Sequence, residues 1–388
     1  MRLEQSWLRS VPVEKVIGAI QAAGGEARFV GGCVRDALLQ RELGDFDLAT
    51  TLKPDAVQAA CEGAGCKVVP TGLRHGTVTV IANGQVFEVT TLRRDVSTDG
   101  RWAEVEYTTD WQQDAARRDF TMNALYCAQD GEVTDFFGGV DDAKAGRVRF
   151  VGDAEKRIPE DVLRILRFFR FHAHYGQGAP DAEGLQACRR FMHLLPNLSA
   201  ERIRMEFLKL LAAPDPVPGW QLMADASALR ALQLPLANFA RLELVARAEA
   251  AAGLLPDPIR RLWACLERDD VRVATRLRLS NKEAQRLSAL MPLFEVPDDA
   301  KAQLRLAYYK GADIVLDALL ASGKASAEAV ATLQSWQRPQ LPLNGADLMA
   351  LGIPSGPRLG ETMERVERWW VEHDFAPSHA DCLAQAKG

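Results

Sequence analysis

A chain of 388 residues, 47% hydrophobic and 26% charged with a formal net charge of −5, is long enough for two or more domains with their own cores. No run approaches the roughly 20 apolar residues of a membrane span, and Met1–Trp7 carries no signal pattern, so a cytoplasmic protein without membrane contact is expected. The seven cysteines are scattered and odd in number, without a Cys-x-x-Cys pair, which argues for reduced thiols and against zinc.

Val13 to Ala23 has helical apolar spacing and stops at Gly24-Gly25. Ala27 to Val30 reads as a short apolar strand, followed by the turn Gly31-Gly32 and a helix opening near Cys33. A second strand begins around Asp45 and runs to Thr50, and alternation puts Asp45 and Asp47 on one side with Phe46 turned into the core. Two carboxylates at i and i+2 make a hard-oxygen site suited to Mg²⁺. Two glycines at a helix entrance present N–H groups that suit a phosphate. Singly, an Asp-x-Asp is more often a solvated turn than a metal site, and a Gly-Gly before a helix is usually just a tight turn. The tandem suggests a metal-dependent nucleotide enzyme.

Lys53-Pro54 opens a helix through Cys61, and Cys66–Val69, Thr77–Ile81 and Val86–Thr90 read as strands. Asn83-Gly84 is a hairpin signal between the last two. The result is a small mixed sheet with two helices against it. Glu88 shares its side with Val86 and Thr90 and is either an edge residue or a third carboxylate. Leu92 to Arg101 is polar and turn-rich, so a mobile loop is expected there. Asp110 to Arg117 follows as a helix, with Arg118 able to pair with Asp114 at the surface and Asp119 able to cap a helix holding Asn123. Phe136 to Asp142 reads as a turn closing this part of the chain.

Pro159 marks a helix start, with Glu160 and Asp161 in its first turn, where the macrodipole favours them. Val162, Ile165, Leu166 and Phe169 share its core face, while Asp161, Arg164, Arg167 and Arg170 wind down the other side, flanked by Phe168 and Phe171. Alone, this is an amphipathic helix with a solvated basic face and one Asp161–Arg164 pair. His172 and His174 point apart and suit packing or surface roles rather than a metal.

From Leu185 onward the chain reads almost entirely as helices. Ser199 caps one reaching Ala212, with Ile203, Phe207, Leu208 and Leu211 as its apolar stripe. The proline-rich Ala213–Gly219 is the clearest boundary, Ser280–Glu283 is a capping box, and Arg338–Gly345 sets off a last unit with a tight turn at Gly352–Pro357. Basic clusters at Arg147/Arg149, Lys156/Arg157, Arg189/Arg190, Arg202/Arg204 and Arg272 to Lys282 predict a basic face on an acidic protein.

Three runs carry a resemblance: Gly31 to Leu48, Arg117-Arg118-Asp119-Phe120-Thr121-Met122-Asn123-Ala124-Leu125, and Glu160 to Arg170. In this order and spacing they resemble the class II tRNA nucleotidyltransferase and bacterial poly(A) polymerase family, closely from Ala27 to Tyr175 and loosely beyond. The resemblance implies an α+β fold: a polymerase-β-like nucleotidyltransferase head with a mixed sheet, then an all-helical neck, body and tail. The parts would be a catalytic head at 1–145, a neck with the nucleotide-selecting helix at 146–215, a body at 216–338 and an RNA-binding tail at 339–388.

It further implies that Asp45 and Asp47 hold two Mg²⁺ ions, with Glu88 a candidate third carboxylate. Gly32 and Arg35 would hold the triphosphate, and Arg118, Asp161, Arg164, Arg167 and Arg170 would form the nucleotide pocket. Asp161 can accept from the exocyclic amine of cytosine or adenine, while Arg164 donates to the ring acceptors beside it. Uracil and guanine present carbonyls at that place and would be rejected. The implied activity is template-independent addition of C, C and A to the 3′ end of tRNA from CTP and ATP. The alternative is a poly(A) polymerase or an enzyme adding only the final A. Leu92 to Arg101 matches the flexible loop of members that add the terminal adenosine, which counts against a CC-only enzyme.

Overall fold

The computed structural model describes the chain apart from residues 74–75, 100–101, 268–269, 271 and 292–293, with the backbone alone at 71, 95–99 and 102–105. It forms two compact units, Met1–Leu234 and Pro235–Gly388. The first is α+β, and the described residues of the second are helices and their connections.

The first unit begins with α1 (Val11–Ala22), β1 (Ala27–Val30), α2 (Gly32–Leu38), β2 (Phe46–Thr50) and α3 (Pro54–Gly63). The strands β3 (Lys67–Gly72), β4 (Thr77–Ala82) and β5 (Gln85–Thr91) follow, then β6 (Arg93–Asp99) and β7 (Trp102–Tyr107). The elements α4 (Trp111–Ala116), β8 (Leu125–Cys127), β9 (Val133–Asp135) and α5 (Gly139–Lys144) complete this half. The main sheet has the order β3-β4-β5-β2-β1-β8-β9; β2 and β5 run parallel, and the other neighbours are antiparallel. The β4–β5 hairpin turns at Asn83 and Gly84, both at positive φ (50° and 82°), as a right-twisted two-residue turn requires.

Strand alternation gives the sheet two apolar faces. Phe29, Leu48, Val80 and Phe87 pack with Ile17 and Ile20 of α1, Val34 of α2 and Val57 of α3, so three helices rather than two cover this side. The intervening Val30, Ala49 and Tyr126 face Trp111 and Ala115 of α4. Asp47, two residues before Ala49, therefore opens toward the α4 side.

Of the stretch Leu92 to Arg101, the described residues Leu92 to Asp99 are not the loop their composition suggested. Leu92 is buried, and Arg93–Asp99 pairs with Trp102–Tyr107 in a separate two-stranded ribbon. At its base Arg94 Nη2 donates to Glu106 Oε2 at 2.7 Å. Backbone pairing forms this ribbon without needing an apolar stripe, so polar composition hid it. Gly100 and Arg101 lie outside the described residues.

The helix expected from Pro159 is two helices, α6 (Ala154–Glu160) and α7 (Leu163–Tyr175). Asp153 caps α6 by accepting from the Glu155 N–H at 2.9 Å. Pro159 lies in its last turn and lacks the N–H that would continue the ladder. Asp161 is extended (φ −149°), and its carboxylate accepts from the Leu163 N–H at 3.1 Å, starting α7. Phe136 to Asp142 likewise contains the start of α5 rather than only a turn.

The unit continues through α8 (Ala182–Phe191), α9 (Ala200–Leu211), α10 (Val217–Asp225) and α11 (Ala228–Ala231). Ser199 stands at the N-cap of α9 without a side-chain bond, and Glu206 and Leu210 take buried places on that helix where Leu208 was expected. Ala213–Gly219 comprises the connection after α9 and the first residues of α10, within the first unit. A Cβ on Gly219 would come within 2.5 Å of Ala173 Cβ, which shows how closely α10 lies on α7. In the second unit the Ser280/Glu283 capping box is present. One apolar cluster there gathers around Val315, Leu319 and Leu333, another around Leu348, Val366 and Trp370. No helix among the described residues is long and apolar enough to cross a membrane.

Candidate active site

Asp45 is exposed just before β2, and Asp47 is partly buried on it. The parallel register pairs Asp47 with Glu88 on β5, which brings a third carboxylate to the same place. Burial, then the charge of Glu88, pushes the Asp47 carboxyl up to about 6; Arg118 pulls it back and Asp45 adds to the rise. Asp47 with Asp45 and Glu88 beside it fits a divalent cation, since hard oxygen donors are present and the cation relieves the crowding of negative charge around Asp47. Among the described residues no three His, Cys, Asp or Glu side chains form a ready-made metal cage. Water and substrate oxygens would complete such a coordination shell.

Gly31 enters α2 at φ +72°, a conformation that favours glycine, and donates its N–H to the Leu125 carbonyl at 3.0 Å. Arg118 Nη1 lies 3.5 Å from where a Gly31 Cβ would stand. The expected pair with Asp114 is present at 3.1 Å, but it is buried rather than superficial. Burial opposes ionisation of Asp114, yet Arg118 and then Arg117 hold its pKa at about 2.

Arg35 is buried, not reaching out from the turn. It grips Asp36 through Nε and Nη2 at 2.9 Å each, reaches Asn123 Oδ1 through Nη1, and donates to the Tyr175 hydroxyl at 2.6 Å. Its guanidinium stacks on the Tyr175 ring at 4.0 Å. Four of its five N–H donors are thereby engaged.

Asp119 caps no helix. Thr121–Asn123 is a single 3-10 turn, and Asp119 accepts from the Phe120 N–H at 2.8 Å, Asn123 Nδ2 at 3.0 Å and Arg167 Nε at 2.7 Å. Burial would raise its pKa, but Arg167 and the Asn123 amide bring it below the usual carboxylate range. A continuous polar path therefore runs from Arg167 through Asp119 and Asn123 to Arg35 and back to α7 at Tyr175.

Each arginine of α7 has an anionic or carbonyl partner. Arg164 is buried against the expectation of an open face. Its Nη1 meets Glu160 at 2.7 Å and the Arg157 carbonyl, and its Nη2 meets the Arg117 carbonyl at 3.2 Å. Arg157 adds bonds to the carbonyls of Arg117 and, at 3.0 Å, Arg118. Arg170 pairs with the buried Glu206 of α9 at 2.6 Å. Asp161 does not pair with Arg164; Arg202 of α9 reaches both of its oxygens at 2.9 and 3.1 Å. Phe168 and Phe171 are core residues, with Phe171 beneath the Arg170 guanidinium at 4.3 Å. The carboxylates and the α7 cluster are thus joined through the Arg117–Arg118 backbone, which Arg157 and Arg164 clasp.

The chain matches the model of the Poly A polymerase head domain over residues 27–149 and that of the "Probable RNA and SrmB- binding site of polymerase A" over 179–239. It is 33% identical to the human CCA tRNA nucleotidyltransferase 1, mitochondrial, covering 93% of this chain and 86% of that one. The chain belongs to the CCA-adding tRNA nucleotidyltransferase family. The CCA-adding enzyme of Streptococcus gordonii is 32% identical over 95% of this chain and 94% of its own. A Bacillus stearothermophilus CCA-adding enzyme in complex with CTP superposes with a TM-score of 0.80 at 29% identity, covering 97% of each chain. The fold is accordingly the family's polymerase head followed by helices, and a family member is a nucleotidyltransferase.

Asp114 was legible in the sequence as the partner of Arg118, whereas Asp119, Glu160 and Glu206 as partners of Arg167, Arg164 and Arg170, and Arg202 as the partner of Asp161, were not. The motif Arg117-Arg118-Asp119 was the one available signal, and it pointed to Asp119 as a cap. Arg157 and Arg202, expected on a basic face, instead bond the Arg117 and Arg118 carbonyls and the Asp161 carboxylate. A cavity of about 370 Å³ between α6 and α8, with Asp153, Glu155, Asp181 and Glu183 in its wall, includes none of the site residues named above.

Proposed function

We propose that this chain adds C, C and A to the 3′ end of tRNA, taking CTP and ATP without a nucleic-acid template. The observation that carries the reading is the place of Asp47: beside Glu88 in register, with Arg118 standing over the glycine turn of α2. Its relatives' names and the CTP-bound relative support the substrates.

Asp45 and Asp47, with Glu88 adjacent, would hold Mg²⁺. Two such ions, when bound, lower the pKa of an RNA 3′-hydroxyl and brace a triphosphate as pyrophosphate leaves. Gly32 offers its backbone to the phosphates, and Arg35 fixes the entrance of α2 that presents it. Arg118 reaches the nucleotide from above Gly31. Asp161 accepts from the exocyclic amine of C or A, and Arg164 donates to the neighbouring ring acceptor. Arg167 and Arg170 act by anchoring α7 through Asp119 and Glu206. The division into head, neck, body and tail at 145, 215 and 338 belongs to the same reading, with tRNA gripped by the helical parts.

Pyrophosphate release from CTP with a tRNA lacking its terminal CCA tests it. Wild-type protein with Mg²⁺ should release pyrophosphate and Asp47→Ala should not. Release that survives Asp47→Ala would remove the carboxylates from the reaction.

A further inference from the structure

We propose that Asp114 is a positioning residue of this reaction: it aims Arg118 at the Gly31 turn and fastens the same arginine to the root of the β6–β7 ribbon. The proposal rests on the nucleotide-addition reading above.

Asp114 is only 1% exposed, yet donors from four residues converge on it. Oδ1 accepts from the Arg93 N–H at 3.2 Å, the first residue of β6, and from Arg117 Nε at 2.9 Å. Oδ2 accepts from Arg118 Nη2 at 3.1 Å and from the Tyr126 hydroxyl at 2.6 Å. The Tyr126 oxygen in turn accepts from Arg118 Nε at 3.3 Å, closing a three-membered ring of side chains.

That ring engages Nε and Nη2 of the guanidinium. The third nitrogen, Nη1, is the one that stands over Gly31. A guanidinium is planar, so fixing two of its nitrogens fixes the direction of the third. Asp114 is thereby the group that determines where Arg118 points. From the opposite side Arg157 and Arg164 hold the carbonyls of residues 117 and 118, so the backbone cannot slip to compensate. The carboxylate stays ionised throughout the neutral range, because its two arginines outweigh its burial. Since the Arg93 N–H shares the same carboxylate, the ribbon and the nucleotide arginine are tied through one residue.

The test is a double-mutant cycle in the full-length protein, read by steady-state nucleotide addition to tRNA lacking CCA. Asp114→Asn should raise KM for both CTP and ATP by about tenfold or more, the loss expected for one charge-assisted hydrogen bond, with a smaller change in kcat. In an Arg118→Ala background the same substitution should change nothing further. Independent, multiplying effects of the two substitutions, or an unchanged KM in Asp114→Asn, would overturn the proposal. If Asp114→Asn does not fold, Tyr126→Phe carries the same cycle: it deletes one side of the ring, and its effect should vanish in Arg118→Ala. If wild-type protein adds no nucleotide at all, the catalytic reading fails by itself. The cycle is then read by equilibrium CTP binding, where additivity again overturns the role of Asp114.

Discussion

Asp47 on β2 stands directly beside Glu88 on β5, two carboxylates in parallel register on neighbouring inner strands of the sheet. Burial and this neighbour raise the Asp47 pKa to about 6. A folded pKa above the unfolded value near 3.8 means that the ionised form costs folded stability. The cost is full above about pH 6 and fades as the pH falls toward 3.8, where the unfolded group also protonates. In metal-free buffer, Glu88→Gln should therefore raise Tm at pH 7.5, and the gain should shrink by pH 4. An equal gain at both pH values would place its origin elsewhere.

The carboxylates were legible in the sequence because two periodicities coincide there. Strand alternation gave Asp45 and Asp47 one side but left Glu88 either an edge residue or a third carboxylate, and the parallel β2–β5 register is what sets it beside Asp47. The partners of the arginines were not legible. Arg202 meets Asp161 from 41 residues away and Arg167 meets Asp119 from 48, and neither distance leaves a periodic trace. Helical phase placed Arg164 outside the apolar arc of α7, correctly, but nothing local said that the carbonyls of 117 and 157 would bury it. The break at Asp161 was hidden because a proline normally marks a first turn, whereas Pro159 stands in the last turn of α6, the helix that Asp153 caps.

Asp161 carries the base discrimination in this account. Asp161→Ala should reduce the preference for CTP over UTP by about tenfold or more, the worth of one base-edge contact. Mg²⁺ affinity, followed by its effect on Tm, should be unchanged. Full selectivity without this carboxylate would contradict the templating role.

The Arg167–Asp119 pair joins α7 to the head, and Asp119 is buried. Arg167→Ala leaves that carboxylate without its cation and should cost roughly 3 kcal/mol in urea unfolding. Because the folded pKa of Asp119 is depressed, the pair stabilises above the unfolded value of 3.8 and is lost only as the pH falls through the lower folded value. The wild-type advantage should thus persist at pH 5. Its disappearance there would mean that Asp119 is not held ionised.

Gly139 opens α5 against the 3-10 turn, where a Cβ would meet the Thr121 carbonyl oxygen at 2.0 Å. The two nearest atoms, the Thr121 carbonyl oxygen and carbon, are backbone and cannot rotate out of the way. Gly139→Ala should destabilise the protein by roughly 3 kcal/mol and also lower activity, since the displaced turn carries Asn123 toward Arg35. A stable, fully active variant would show that this contact is looser than it stands.

The central claim is tested most directly by one incubation series: a tRNA lacking its last three nucleotides, with Mg²⁺ and CTP, ATP or both, resolved at single-nucleotide length. The account predicts two additions with CTP alone and one further addition when ATP is also present, after which extension stops. A long adenosine ladder from ATP alone would contradict it and make the chain a poly(A) polymerase.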